Sequence, residues 1–204
     1  MNALNFTHLY EAGAGKNART LLLLHGTGGN ERDLLGVGRS LDPAANLLSP
    51  RGKVLERGMP RFFRRLAEGV FDEKDLIART HELADFVRAA SEAHQFDPRN
   101  VVAVGFSNGA NIGGALMLLR PETLRAAALW RPMVPLLPDS PPDLTGRKLL
   151  LTHGSYDTMV SEQQRLELEQ LFEKYGAAVR SETFPSGHAL TPQDILTTQR
   201  WLRE

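Results

Sequence analysis

The chain alternates short, continuously apolar runs with longer stretches in which apolar residues recur every three to four positions. Thr20 to Leu24 is one such run, ending at His25-Gly26. Val101 to Phe106 is β-branched and apolar and ends at Ser107-Asn108-Gly109. Ala126 to Trp130 is a weaker run of the same kind, Lys148 to Thr152 ends at His153-Gly154, and Val179 to Phe184 alternates more. Continuous apolar runs separated by helical stretches predict a parallel sheet covered on both faces.

The helical stretches read more easily. Within Asp75 to His94, Leu76, Thr80, Leu83, Val87 and Ala90 form one stripe. Ile112 to Leu119 is apolar nearly all round, as a central crossover helix should be. Ser161 and Gln164 have the spacing of a capping box, opening a helix with Leu168, Leu171, Phe172 and Tyr175 on one face and Gly176 at its end. Thr191-Pro192 marks one more start, with proline at the first helical position. The order predicts one doubly wound α/β domain over residues 1–204.

Two stretches break the rhythm. Ser49 to Gly69 holds Pro50, Gly52, Gly58 and Pro60 among Arg51, Arg57, Arg61, Arg64 and Arg65. Pro132 to Gly146 holds Pro132, Pro135, Pro138, Pro141 and Pro142. Both read as long surface loops, which in compact domains are often functional. The arginines either pair with acidic neighbours such as Glu56 and Glu68 or bind an anionic substrate.

Composition narrows the chemistry. A chain of 204 residues needs no staples, since it buries roughly 70% of the surface its unfolded form exposes. It has no cysteine, which removes disulfides, thiolate metal sites and a cysteine nucleophile. Its 24 basic and 24 acidic side chains cancel, with no long single-sign run, which argues against nucleic acid and anionic membrane as partners. Met1 to His8 lack the features of a signal peptide, and runs such as Leu21 to Leu24 are far too short to span a bilayer. The expectation is a cytoplasmic protein without stable membrane association.

In an open α/β sheet, ligands sit beyond the carboxyl ends of the strands, so the residues following each strand carry the search. Gly105-Phe106-Ser107-Asn108-Gly109 is a G-x-S-x-G between a strand and an apolar helix. A serine on so sharp a turn needs small residues two positions to either side, and the turn lifts its hydroxyl above the sheet at a helix N-terminus. A plain serine-glycine helix cap is the ordinary alternative. The hydroxyl needs a base, and only His153 and His188 follow Ser107 in the chain. His188 lies between the last strand and the last helix, where a base can reach the top of the sheet. His153 ends a strand and reads as a packing or hydrogen-bonding residue; His8, His81 and His94 read as surface or terminal residues. For the carboxylate that orients the base, Asp157, just after the Lys148 to Thr152 strand, is favoured over Asp139 and Asp143 in the proline-rich loop. An oxyanion would be held by the backbone N–H of Asn108 and, from the loop His25-Gly26-Thr27-Gly28-Gly29, that of Thr27. That loop is also glycine-rich enough to cradle phosphate, but the chain has no G-x-G-x-x-G, Walker lysine or metal-ligand cluster.

Together these motifs, in this order, resemble the small α/β-hydrolases, and most closely the phospholipase/carboxylesterase (acyl-protein thioesterase-like) family. Ser49-Pro50-Arg51-Gly52 and Met59-Pro60-Arg61-Phe62-Phe63-Arg64-Arg65 resemble its bacterial branch of hydroquinone-resistance-type hydrolases. The resemblance runs from about Thr20 to the C-terminus. It implies a triad of Ser107, Asp157 and His188, an oxyanion hole at Thr27 and Asn108, no cofactor, no metal, no large lid and, often, a homodimer. Eukaryotic thioesterase members commonly carry glutamine after the nucleophile, where this chain has Asn108; the backbone N–H makes the contact either way. The arginine-rich loop before Phe62 favours an anionic or aromatic ester over a long acyl chain.

The leading expectation is a serine esterase acting on a small-molecule ester, with Phe62 and Met159 contacting substrate. The alternative within enzymes is a thioesterase or lysophospholipase, whose long acyl chain would need an apolar groove built from residues such as Met59, Phe62, Phe63, Met133 and Met159. A non-catalytic binding protein on the same fold is the remaining reading; it would be expected to lack a triad member, and none is missing.

Overall fold

A computed structural model describes residues 4–15 and 17–204, and among them the predicted apolar runs form five consecutive strands of a seven-stranded sheet. In chain order the elements are β1 (His8–Glu11), β2 (Thr20–Leu24), α1 (Leu35–Leu41), β3 (Asn46–Pro50), β4 (Val54–Glu56), β5 (Met59–Arg61), β6 (Arg65–Ala67) and β7 (Val70–Phe71). Then follow α2 (Glu73–His94), β8 (Val101–Phe106), α3 (Asn108–Leu119), β9 (Ala126–Trp130), β10 (Lys148–Gly154), α4 (Glu162–Lys174), β11 (Ala178–Phe184) and α5 (Pro192–Trp201). The main sheet runs β1-β3-β2-β8-β9-β10-β11, with β1 antiparallel to β3 and the other pairs parallel.

Successive strand residues point to opposite faces, and both faces are packed. Leu22, Leu24, Ala103, Leu129, Leu149 and Leu151 join the core on the side of α2, α3 and α4. Leu21, Leu23, Val102, Val104, Ala128 and Leu150 join a second core with residues of α1 and α5. This is why the central strands are apolar throughout. At the edge, β11 is only half buried, and its sequence alternates accordingly.

The helices start where the sequence signals them. Ser161 and Gln164 form the capping box of α4, and Gly176 beyond its end has φ 92°. The long helix begins slightly earlier than its apolar stripe because the Asp72 side chain accepts the Asp75 N–H. Likewise α3 starts at Asn108, ahead of its apolar stretch.

Three expectations need correction. Residues 49–69 are not one surface loop: β3 ends there, β4 and β5 form a hairpin, β6 begins a second hairpin, and Phe62 and Phe63 are buried. The first hairpin turns at Arg57 and Gly58, both with positive φ, the backbone a tight two-residue turn requires. The proline-rich stretch lies at the surface only from Leu137 on, and even there Leu144 is buried; Pro132, Met133, Pro135 and Leu136 are buried as well. His8 and His94 are half buried and meet across β1 and α2, their Nε2 atoms 3.2 Å apart, with Tyr10 stacked on His94.

Residue register places the carboxyl ends of five parallel strands at one level. Leu24 lies opposite Gly105, Phe106 opposite Trp130, Trp130 opposite Thr152, and Gly154 opposite Phe184. From β2 the chain goes to β3 on one side, then returns to β8 on the other. The crevice at that reversal, beyond β2 and β8, is where an open α/β sheet binds its ligands.

Candidate active site

Ser107 joins β8 to α3 with φ 52° and ψ −113°, a conformation that L-residues rarely adopt. Two glycines make the turn possible. A Cβ on Gly105 would lie 2.6 Å from the Gly109 carbonyl oxygen, and one on Gly109 would overlap the Leu24 backbone. The Ser107 N–H donates to the Trp130 carbonyl at 2.9 Å, tying the turn to the end of β9.

His188, in the loop between β11 and α5, bridges two groups. Its Nε2 is 2.9 Å from Ser107 Oγ and its Nδ1 2.8 Å from Asp157 Oδ2. The Asp157 side chain is 1% exposed, and its other oxygen accepts the Met159 N–H at 2.8 Å. A carboxylate that only accepts puts the imidazole proton on Nδ1 and leaves Nε2 to accept from the serine hydroxyl. Asp139 and Asp143 lie elsewhere, both exposed, with Asp143 accepting the Thr145 N–H.

The Thr27 loop follows β2 and reaches the same crevice. Among the described residues, neither the Thr27 nor the Asn108 backbone N–H has a hydrogen-bond acceptor, and both residues line one small cavity with Ser107 and His188. The Thr27 hydroxyl accepts from Arg61 Nη1 at 2.7 Å. His25, before this loop, donates Nδ1–H to the Gly26 carbonyl and accepts the Gly52 N–H on Nε2. Burial keeps its pKa below the ordinary value, so the neutral ring ties the Thr27 loop to residue 52.

Met159 lines the cavity, together with Met133. Phe62 does not: it is 1% exposed, its ring 4.7 Å from that of His25. Its N–H, donated to Asn108 Oδ1 at 2.8 Å, draws the residue inward. Phe63 is also buried, edge-on to Phe71, so neither phenylalanine forms an acyl groove.

Three residues near the site were not singled out from the sequence. Asn111 Oδ1 accepts the Met133 N–H at 2.8 Å, so Asn108 and Asn111 on the first turn of α3 hold the two flanking segments. Two asparagines three apart on an otherwise apolar helix were the available signal. Arg131 and Asp194 form a fully buried bidentate pair at 2.7 and 2.9 Å. Arg131 also donates to Ser186 Oγ and to the Gly187 and Ala189 carbonyls, gripping the loop on both sides of His188. Burial opposes ionisation of Asp194, but hydrogen bonds from Arg131 and Thr152 hold its pKa below the usual carboxylate value. Sequence alone shows a lone arginine after a strand, with a partner 63 residues away.

His153 is buried, and neither ring nitrogen has a partner among the described residues. Burial first, then Arg165 and Arg131, lowers its pKa to about 4. Among the described residues it packs rather than hydrogen-bonds. The arginines of residues 51–65 mostly meet carboxylates: Arg51 pairs with Glu31, Arg64 with Asp72, and Arg61 and Arg65 both with Glu56.

Residues 9–204 match the phospholipase/carboxylesterase family. Over 197 residues the chain is 47% identical to the Bacillus subtilis hydrolase MhqD, covering 97% of this chain and 98% of that one. The fold matches the crystal structure of the Bacillus cereus carboxylesterase with a TM-score of 0.93 and 43% identity, covering 96% of this chain and 92% of the other. A carboxylesterase from Mesorhizobium loti matches with a TM-score of 0.88 and 32% identity, covering 94% of this chain and 90% of that one.

Proposed function

As the chain belongs to the phospholipase/carboxylesterase family, we propose that it is a serine hydrolase cleaving small carboxylic esters through an acyl-enzyme. One observation carries the reading: the continuous hydrogen-bond chain from Ser107 through His188 to Asp157, beside two backbone N–H groups without an acceptor among the described residues. Ser107 Oγ attacks the ester carbonyl while His188 Nε2 takes its proton. Negative charge developing on the carbonyl oxygen meets the Thr27 and Asn108 N–H groups. His188 then passes the proton to the departing alcohol, leaving the acyl group on Ser107. Water repeats the sequence: His188 takes its proton, hydroxide adds to the acyl carbon, and Ser107 leaves reprotonated. Asp157 holds the imidazole in the required tautomer and stabilises its charged form.

A second reading keeps the machinery but gives it long acyl esters or thioesters. What favours it is Leu55, Leu66 and Val70, exposed on the two hairpins of residues 54–71. Against it stands the cavity at Ser107, only about 40 Å³ and lined by arginines as well as methionines. The experiment is hydrolysis of p-nitrophenyl esters from acetate to palmitate. For the proposed reaction, short chains are preferred and Ser107→Ala lowers kcat by about 10⁴–10⁶. Preference for long chains would transfer the assignment to the second reading, and unchanged turnover in Ser107→Ala would sink both.

Among the described residues, no helix is long and apolar enough to cross a membrane.

A further inference from the structure

Three arginines line the cavity that contains Ser107 and His188, and no aspartate or glutamate does. Arg131 is neutralised by Asp194. Arg61 and Arg65 are not separately neutralised. They share Glu56, 3.3 Å from Arg61 Nη1 and 3.0 Å from Arg65 Nε, so two cations face one carboxylate. The imbalance is felt locally: burial and then the neighbouring Arg65 lower the Arg61 pKa. The two guanidinium groups are held very differently. Arg61 is 3% exposed and committed, donating to Thr27 Oγ1 and to the Phe63 carbonyl. Arg65 has a quarter of its side chain exposed and donates only Nε–H, to Glu56. Its terminal nitrogens have no hydrogen-bond partner among the described residues.

A guanidinium with free terminal nitrogens is a planar fork suited to a carboxylate. At about 40 Å³ the cavity is far smaller than the roughly 300–1,000 Å³ of an ordinary small-molecule pocket, so what enters must be short. The acyl group stays on Ser107 after the alcohol has left, and it is the part of the substrate this pocket must hold. We infer that Arg65 forms an anion subsite, and that the preferred substrates are half-esters of short dicarboxylic acids whose free carboxylate it binds. The inference rests on the serine-esterase reading and names its substrate class. Such a carboxylate would supply the negative charge that Glu56 alone does not.

The test compares kcat/KM for the monomethyl esters of malonate, succinate and glutarate with that for their dimethyl esters. Wild type, Arg65→Gln, Arg65→Lys and Ser107→Ala are run side by side. In wild type, at least one monoester should be preferred over its diester by about tenfold or more, the worth of a hydrogen bond to a charged group. The preference should disappear in Arg65→Gln and return in part in Arg65→Lys, which a merely structural loss would not restore. Equal rates for monoesters and diesters in wild type, or a preference that survives Arg65→Gln, would overturn the subsite while leaving Ser107-dependent ester hydrolysis standing. No Ser107-dependent turnover of any of these esters or of p-nitrophenyl acetate would overturn the esterase reading itself, and the subsite with it.

Discussion

At the scale of single residues, the site depends on side chains whose surroundings leave them little choice. Ser107 occupies a positive-φ position, which Gly105 and Gly109 permit because neither brings a Cβ into the turn. Those three residues were legible because steric necessity writes itself as a local motif. His153 was legible as a packing or hydrogen-bonding residue, but which of the two depends on what surrounds it. Its lowered pKa has a measurable consequence. The fold binds His153 neutral, whereas the unfolded chain takes up a proton below the ordinary histidine value of 6.5. Its stabilising contribution is therefore full above pH 6.5 and is lost as the pH falls toward about 4. Urea unfolding at pH 7 and pH 5 should show wild type losing more stability on acidification than His153→Leu. An equal loss in both proteins would remove His153 as a source of acid sensitivity. His25 is depressed in the same direction and leaves part of the slope in either protein.

At the scale of elements, the five predicted strands and the four predicted helices are all present, because each is long enough for its period to be read. What escaped notice was short or paired with something distant. β1 has four residues, the hairpins of residues 54–71 have strands of two or three, and β3, as long as β2, breaks its apolar run with Asn46, Ser49 and Pro50. The β9–α5 connection is the functional case. Arg131, one residue beyond β9, is pinned by Asp194 on the first turn of α5 and grips the His188 loop between them. Breaking a buried ion pair by removing one partner costs about 3–5 kcal/mol, whereas replacing both by apolar groups is often neutral. Asp194→Ala should accordingly lower the urea-unfolding free energy by about 3–5 kcal/mol. The Arg131→Met/Asp194→Leu double variant should recover most of that stability but not the activity, since nothing then holds Gly187 and Ala189. Its kcat should stay at least about tenfold down, with KM little changed, as for a defect in aligning His188. Recovery of kcat along with stability would reduce Arg131 to a scaffold residue.

At the scale of the whole molecule, the doubly wound architecture followed from the alternation of runs, but the order of strands did not. Nothing local tells β8 to pair with β2 rather than with β3, yet that choice creates the crevice and brings Thr27 beside Ser107. The site gathers residues from loops after β2, β8, β10 and β11, so it exists only when the sheet is complete. The layer that closes last along the chain also contains both tryptophans. Trp130 donates its indole N–H to Thr198 on α5 at 3.0 Å, and Trp201 is the final residue of that helix. The molecule thus carries an intrinsic optical reporter of α5 docking, and α5 begins four residues after His188. Tryptophan emission followed through a denaturant titration should shift to the red at the same concentration at which ester hydrolysis disappears. Activity lost at lower denaturant, with emission still native, would mean that the histidine loop opens while the helix behind it remains in place.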